Sequence, residues 1–375
     1  MTLFKKSLLA AGVMACASAT ATAAGNAPTL GDVLTASGLT FNGYIDTSYS
    51  YLTGSGVFAG TTTSDRVYDA QHNAFSLHTI DLSGAYLPTN GFGGQVQLDY
   101  GTDAAVTSSG TGLPAVSGGS EVDVQQAYMQ YATGPFTVMG GKFDTLAGEE
   151  VITSTADYNF SRGILFGYAI PFSHTGVRTS YAINPNYKVI VGVNNGWNTV
   201  KPSATTTPVY NKTVELGFAA TPLKPLSINV SFYGGDAPGA TVNHERDLLD
   251  LVASYSATNA LTVALEGDYG QQKDAQIIGT TSKWNGVALF ANYNLSSLWR
   301  VAGRVEYFDD KNGFTTGVIQ KWKEGTVTLA FMPTVHTELR GEVRYDKSDV
   351  ASFGMLSGAP KDNQSSVGLE ALYKF

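Results

Sequence analysis

The residues best suited to act on a charged or polar partner fall on one side of a short segment near the C-terminus. His336, Glu338, Arg340, Glu342, Arg344 and Asp346 occupy every second position, and Val335, Thr337, Leu339, Gly341, Val343 and Tyr345 fill the gaps. Period two is the signature of a strand, so acids and bases share one face and apolar groups the other. A second such segment sets Arg300, Arg304 and Glu306 against Val301, Gly303 and Val305, and a third sets Arg178 against Val177 and Thr179. Glu215, Glu266, Asp268, Glu370 and Lys374 obey the same parity. Alternating cations and anions on a wall can orient and sieve polar solutes; they do not form a catalytic constellation. The usual catalytic and metal-binding motifs are missing from the sequence. His72, His78, His174, His244 and His336 are scattered without HExxH or related spacing, and there is no G-x-S-x-G elbow. Gly134 to Phe143 has three glycines and Lys142, but Phe143 stands where a phosphate loop needs Ser or Thr. The expectation is a protein that is not an enzyme, with no metal site and no cofactor.

Strands of this kind fill the chain. Val96-Leu98-Tyr100, Val189-Val191-Val193, Val214-Leu216-Phe218, Leu261-Val263-Leu265, Val287-Leu289-Ala291-Tyr293 and Val327-Leu329-Phe331 repeat the alternation. The connections between strands alternate in length. Short turns fall at 88–92, 133–135, 184–186, 221–225, 258–260, 295–297 and 333–335. Longer polar segments fall at 53–72, 102–120, 144–168, 197–210, 235–246, 270–282, 309–321 and 347–362. Tight turns at one end and long loops at the other imply an all-β, transmembrane antiparallel β-barrel of the bacterial outer membrane, with about 16 strands. A water-soluble sandwich or propeller would also bury one face per strand, but it gives no reason for the loop asymmetry.

Composition agrees. Charged residues make up 14% of 375 residues, whereas soluble domains carry about 25%. Beyond the first 25 residues there is no apolar run of about 18, so a helical membrane protein is excluded. The net charge of −8 offers no basic surface for nucleic acid. Lys5 and Lys6, the apolar run Ser7 to Ala17 and the small residues Ala21, Ala23 and Ala24 read as a signal peptide over 1–24. Its Cys16 is the sole cysteine, and Met14 suits a lipoprotein signal poorly. Residues 25–38 form a short N-terminal arm, with room for one helix, ahead of a barrel over 39–375.

In a membrane barrel the apolar face meets lipid and the polar face lines the lumen. Sixteen strands enclose a lumen too wide for wall side chains to fill, so water is expected inside. The longest loop, Asp144 to Tyr168, carries Asp144, Glu149, Glu150, Asp157 and Arg162. Folded inward, it would set carboxylates across a narrow aqueous gap from Arg178, Arg300, Arg304, Arg340 and Arg344, making a constriction with a transverse field. Glu338 and Glu342 line the same wall. Net acidity favours cations, while the paired arginines could locally reverse that preference.

Gly140-Gly141-Lys142-Phe143-Asp144-Thr145, Gly148-Glu149-Glu150 and Pro171-Phe172-Ser173-His174-Thr175-Gly176-Val177-Arg178 together resemble the OmpL-like β-barrel porin-2 family, as do Gly31-Asp32-Val33-Leu34 and Gly43-Tyr44-Ile45-Asp46. The closing row Val367, Leu369, Ala371, Tyr373 and Phe375 looks like the terminal signature of outer-membrane barrels. The resemblance implies a water-filled channel for passive diffusion of small hydrophilic solutes or ions, with outer-membrane lipids as surroundings and a homo-oligomer as a possible assembly. The competing expectation is a closed barrel that acts as a surface adhesin or receptor.

Overall fold

Alternating side chains become alternating burial once the strands pair. In the computed structural model, which describes residues 28–61, 64–108, 120–201, 212–236, 245–277 and 279–375, eighteen strands form. They are β1 (Thr40–Leu52), β2 (Gly54–Phe58), β3 (Ala74–Tyr86), β4 (Gly91–Tyr100), β5 (Val122–Thr133), β6 (Phe136–Asp144), β7 (Ser173–Asn184), β8 (Tyr187–Asn194) and β9 (Thr213–Leu223). There follow β10 (Leu226–Asp236), β11 (Glu245–Ser256), β12 (Leu261–Lys273), β13 (Thr281–Asn294), β14 (Trp299–Asp310), β15 (Gln320–Phe331), β16 (Thr337–Ser348), β17 (Phe353–Met355) and β18 (Asn363–Lys374). Sixteen of these close an antiparallel barrel, with β1 pairing β18 on one side and β3 on the other. The short β2 and β17 pair apart from the barrel as a two-stranded sheet. The expected barrel and strand number are therefore found.

Closure leaves no free sheet edge, which is what a strand in lipid requires. Its last stitch is reciprocal: Gly43 N–H donates to the Phe375 carbonyl and Phe375 N–H to the Gly43 carbonyl, both at 3.0 Å. Outside, Leu251, Leu265, Leu289, Val305, Leu329, Val343 and Leu369 stay exposed along the mid-barrel. At the tight-turn end aromatic pairs face outward, including Phe92 with Tyr131 and Trp299 with Phe331, at 4.8 and 4.7 Å between ring centres. An apolar belt edged by aromatics matches the hydrocarbon and interface of a bilayer.

Among the described residues, α1 (Leu30–Ser37) occupies the expected arm. Thr29 and Asp32 cap it reciprocally: Asp32 Oδ2 accepts from Thr29 N–H at 2.8 Å, and Thr29 Oγ1 from Asp32 N–H at 3.2 Å. The signal segment, Cys16 and His244 lie outside the described residues. Inside the second long loop, Thr102–Thr107 forms the helix α2.

Several loop boundaries move. The expected loop 270–282 shrinks because β12 runs to Lys273 and β13 starts at Thr281. Asp144 is the last residue of β6, and the third loop runs on through Phe172. Ile170 and Phe172 are apolar and imitate a strand, but both are buried in the lumen, and Pro171 has no N–H to give a ladder.

Candidate functional site

The inner wall of β14, β15, β16 and β18 carries the predicted charges in registered rows. Arg304 and Arg344 both lie opposite Thr326, and Arg340 lies opposite Glu370. Each arginine is held by an acid. Arg300 meets Glu338 at 2.5 Å, Arg340 meets Glu338 at 2.7 Å and Glu370 at 3.0 Å, and Arg344 meets Asp346 at 2.8 Å. Arg304 meets Glu324 at 2.9 Å and, from the third loop, Glu150 at 2.5 Å. Arg178 on β7 grips Glu215 with two nitrogens, at 2.5 and 2.8 Å, and stacks over Phe143.

The third loop crosses the lumen against this wall. A buried irregular backbone must find hydrogen-bond partners, and here the wall charges supply them. Glu342 accepts from Phe160 and Ser161 N–H at 2.7 and 3.0 Å. Glu306 accepts from Ile164 and Leu165 N–H at 2.6 and 3.1 Å, at the start of the short helix α3 (Ile164–Tyr168). In the other direction, Arg340 donates to the carbonyls of Ser154, Asp157 and Asn159, Arg344 to that of Arg162, and Arg304 to that of Ser161. Within the loop, Asp157 pairs with Arg162 at 3.1 Å, and Gly163 N–H donates to Glu150 at 2.7 Å.

This differs from the expected field across an aqueous gap. Arg304 and Glu150 touch, and Arg340 and Arg344 serve as brackets for loop carbonyls. The physical reason is that the loop's own peptide groups need partners more than its carboxylates do. Asp144 does not face a wall arginine by its side chain: its carboxylate accepts from Gln125 at 3.0 Å, and Arg178 takes its carbonyl at 3.0 Å. Glu149 is pushed up to about 7 by burial and by the charges of Asp157 and Glu150.

The polar-inside rule also fails in part. At the long-loop end Tyr233, Leu248, Trp284, Phe308 and Trp322 point inward and pack with Phe166, Tyr168 and Phe172 of the third loop and Phe58 and Tyr68 of the first. Trp284 Nε1–H donates to the Ala169 carbonyl at 3.0 Å, and Trp322 Nε1–H to Asp346 at 3.1 Å. Arg66 of the first loop reaches the same Asp346 at 2.9 Å. The Trp284 ring needs the missing side chain of Gly270, where a Cβ would come within 2.1 Å of it. Gly270→Ala is expected to lower stability by about 1–3 kcal/mol, read as a lower denaturant midpoint; an unchanged midpoint would refute that packing.

Open space remains at the tight-turn end. A cavity of about 450 Å³ is lined by Asn42, Tyr44, Asp81, Ser83, Gln95 and Gln97 and roofed by Thr153 and Thr155 of the third loop. Asp81, Asp99 and Asp123 stand directly opposite one another across β3, β4 and β5. Only Asp123 of the three has an ion pair among the described residues, with Lys142 at 2.9 Å. This acidic row was missed in the sequence because it becomes a row only when three strands register. The described histidines sit apart: His78 with Asp103 at 3.0 Å, His174 stacked on Tyr233, and His72 and His336 on the Leu52 and Lys374 carbonyls.

A closed sixteen-stranded antiparallel barrel with an apolar outer belt and a third loop folded into its lumen has the architecture of an outer-membrane porin. The chain belongs to the family described as "Putative beta-barrel porin-2, OmpL-like", which matches residues 38–375. No relative among curated proteins matches it in sequence. Among solved structures, it is similar to the anion-selective porin from Comamonas acidovorans, with 14% identity and a TM-score of 0.64 over 90% of this chain and 99% of that one. It is also similar to Pseudomonas putida OprB, with 14% identity and a TM-score of 0.62 over 92% and 96% of the two chains. A third likeness is to the channel DcaP of Acinetobacter baumannii, with 14% identity and a TM-score of 0.60 over 90% and 97%. At such identities the likeness is one of fold. The protein is an outer-membrane porin, a channel for passive diffusion of solutes.

Proposed function

We propose that this porin passes small hydrophilic solutes with a preference for cations, through a path narrowed by the third loop. One observation carries the reading. Arg178, Arg300, Arg304, Arg340 and Arg344 are each neutralised by a touching carboxylate, whereas Asp81 and Asp99 have no ion pair among the described residues, and Asp81 borders the open cavity. Two carboxylates directly opposite one another share a proton, so the Asp81–Asp99 pair presents one uncompensated negative charge, and selectivity follows such a charge along the path. Export to the outer membrane by cleavage of residues 1–24 belongs to the same reading.

In a planar bilayer under a salt gradient, the purified protein is expected to give stepwise conductance and a reversal potential of cation-selective sign. Asp81→Asn with Asp99→Asn is expected to move that potential toward zero. An anion-selective wild type, or an unmoved potential in the double variant, would overturn the assignment. Absence of conductance would instead favour the closed adhesin or receptor.

Glu149 makes a pH dependence follow. Below its pKa of about 7 it takes up a proton and the loop loses a negative charge. Cation preference is therefore expected to fall between about pH 8 and about pH 6. Asp157 of the same loop is also pushed up to about 7 by burial, so in Glu149→Gln the fall over that interval should be smaller than in the wild type; an equal fall in the variant would assign the effect elsewhere.

A further inference from the structure

Strands β11 and β12 bring together three acids that the channel reading does not use. Asp250 lies directly opposite Asp268, and Val252 opposite Glu266, so Asp250, Glu266 and Asp268 converge on one patch of the inner wall. One oxygen from each lies within 4.8 Å of the others. All three are buried, at 0%, 1% and 4% exposure.

Two of the six carboxylate oxygens have donors. Ser231 Oγ–H donates to Asp250 Oδ1 at 3.2 Å, and Glu149 N–H to Glu266 Oε2 at 3.0 Å. The other four, Asp250 Oδ2, Glu266 Oε1 and both oxygens of Asp268, are buried with no hydrogen-bond partner among the described residues. Among the described residues none of the three acids forms an ion pair. By contrast Glu306, Glu342 and Asp346, also buried in the lumen, are matched to guanidinium groups or backbone N–H groups. Three adjacent buried carboxylates without a cation are strongly unfavourable.

A bound metal ion would supply the missing charge. We propose that Asp250, Glu266 and Asp268 form a binding site for a divalent hard cation, with calcium the best fit. The donor set is all oxygen, without the imidazole or thiolate that softer metals select. Calcium bonds to oxygen at about 2.3–2.6 Å, so ligands on opposite sides of one ion sit about 4.6–5.2 Å apart, and oxygens no more than 4.8 Å from one another fit within that limit. The bound ion would also fix the base of the third loop, because Glu149 N–H is tied to a ligand carboxylate.

The test uses the full mature chain, refolded in detergent without lipopolysaccharide and freed of divalent ions with EDTA. Calorimetric titration with calcium chloride is expected to show one ion bound per chain. Glu266→Gln and Asp268→Asn should each weaken binding at least tenfold, while the exposed Asp362→Asn should leave it unchanged. A wild type that binds no more calcium than Asp268→Asn overturns the site. Because a variant could misfold, the wild type alone gives a second reading: its melting temperature should rise in calcium relative to EDTA, and no rise overturns the site as well. Both readings are taken without a membrane potential, so a failure here is separable from a failure of the channel reading.

Discussion

Arg304→Ala is expected to release the third loop from the barrel wall. The guanidinium is fully enclosed and meets Glu150 and Glu324 while also holding the Ser161 carbonyl. Its removal leaves Glu150 buried without its cation, a change that costs about 3–5 kcal/mol, while Glu324 keeps Arg344 at 3.3 Å. The barrel itself should persist, because its ladder runs through backbone groups that the substitution does not touch. Heat-modifiable gel mobility should therefore match the wild type. Single-channel conductance should rise, and protease should cut between Glu149 and Tyr168, where the wild type resists. A variant with wild-type conductance and wild-type protease resistance would show that the bracket is dispensable.

Trp284→Ala should destabilise the luminal core by about 3–5 kcal/mol, the usual cost of truncating a buried aromatic. The ring is fully buried, lies edge-on to Trp197 with centres 6.1 Å apart and packs against Phe314 at 5.7 Å. The loss also strands the Ala169 carbonyl, which then has no donor. Trp299→Ala is the control, since that ring is on the lipid side, 40% exposed. Its loss should cost less, and near-ultraviolet circular dichroism with the denaturant midpoint separates the two. Equal effects would mean that the inward core adds nothing beyond the barrel.

Both expectations depend on features that differ in how visible they were in the sequence. The charge of Arg304 and its inward direction follow from parity with Arg300 and Glu306. Its partner does not, because Glu150 is 154 residues away and arrives only when the third loop turns inward. Trp284, Phe308 and Trp322 share the parity of the polar residues of their strands, and that was a usable signal. An aromatic in phase with Asp310 or Glu324 belongs inside, against the general rule that apolar groups face lipid. Asp144 and Phe172 mark the other shortfall: the sequence bounds the loop at Asp144 and Tyr168, whereas pairing puts Asp144 in β6 and leaves 169–172 in the loop.

The sequence by itself determined the strands, their approximate number, the face the charged wall side chains take and the asymmetry between short turns and long loops. These are local properties, fixed by a period of two and by the need to keep charge away from lipid. The tertiary structure alone decided which charge neutralises which, and that the wall arginines hold a loop in place of facing it across water. It also decided that Asp81, Asp99 and Asp123 form one row, and that Asp250, Glu266 and Asp268 meet with no counter-charge among the described residues. Such neighbours come from register and closure, which bring distant residues within a few ångströms, and in a low-dielectric lumen that distance sets the energy.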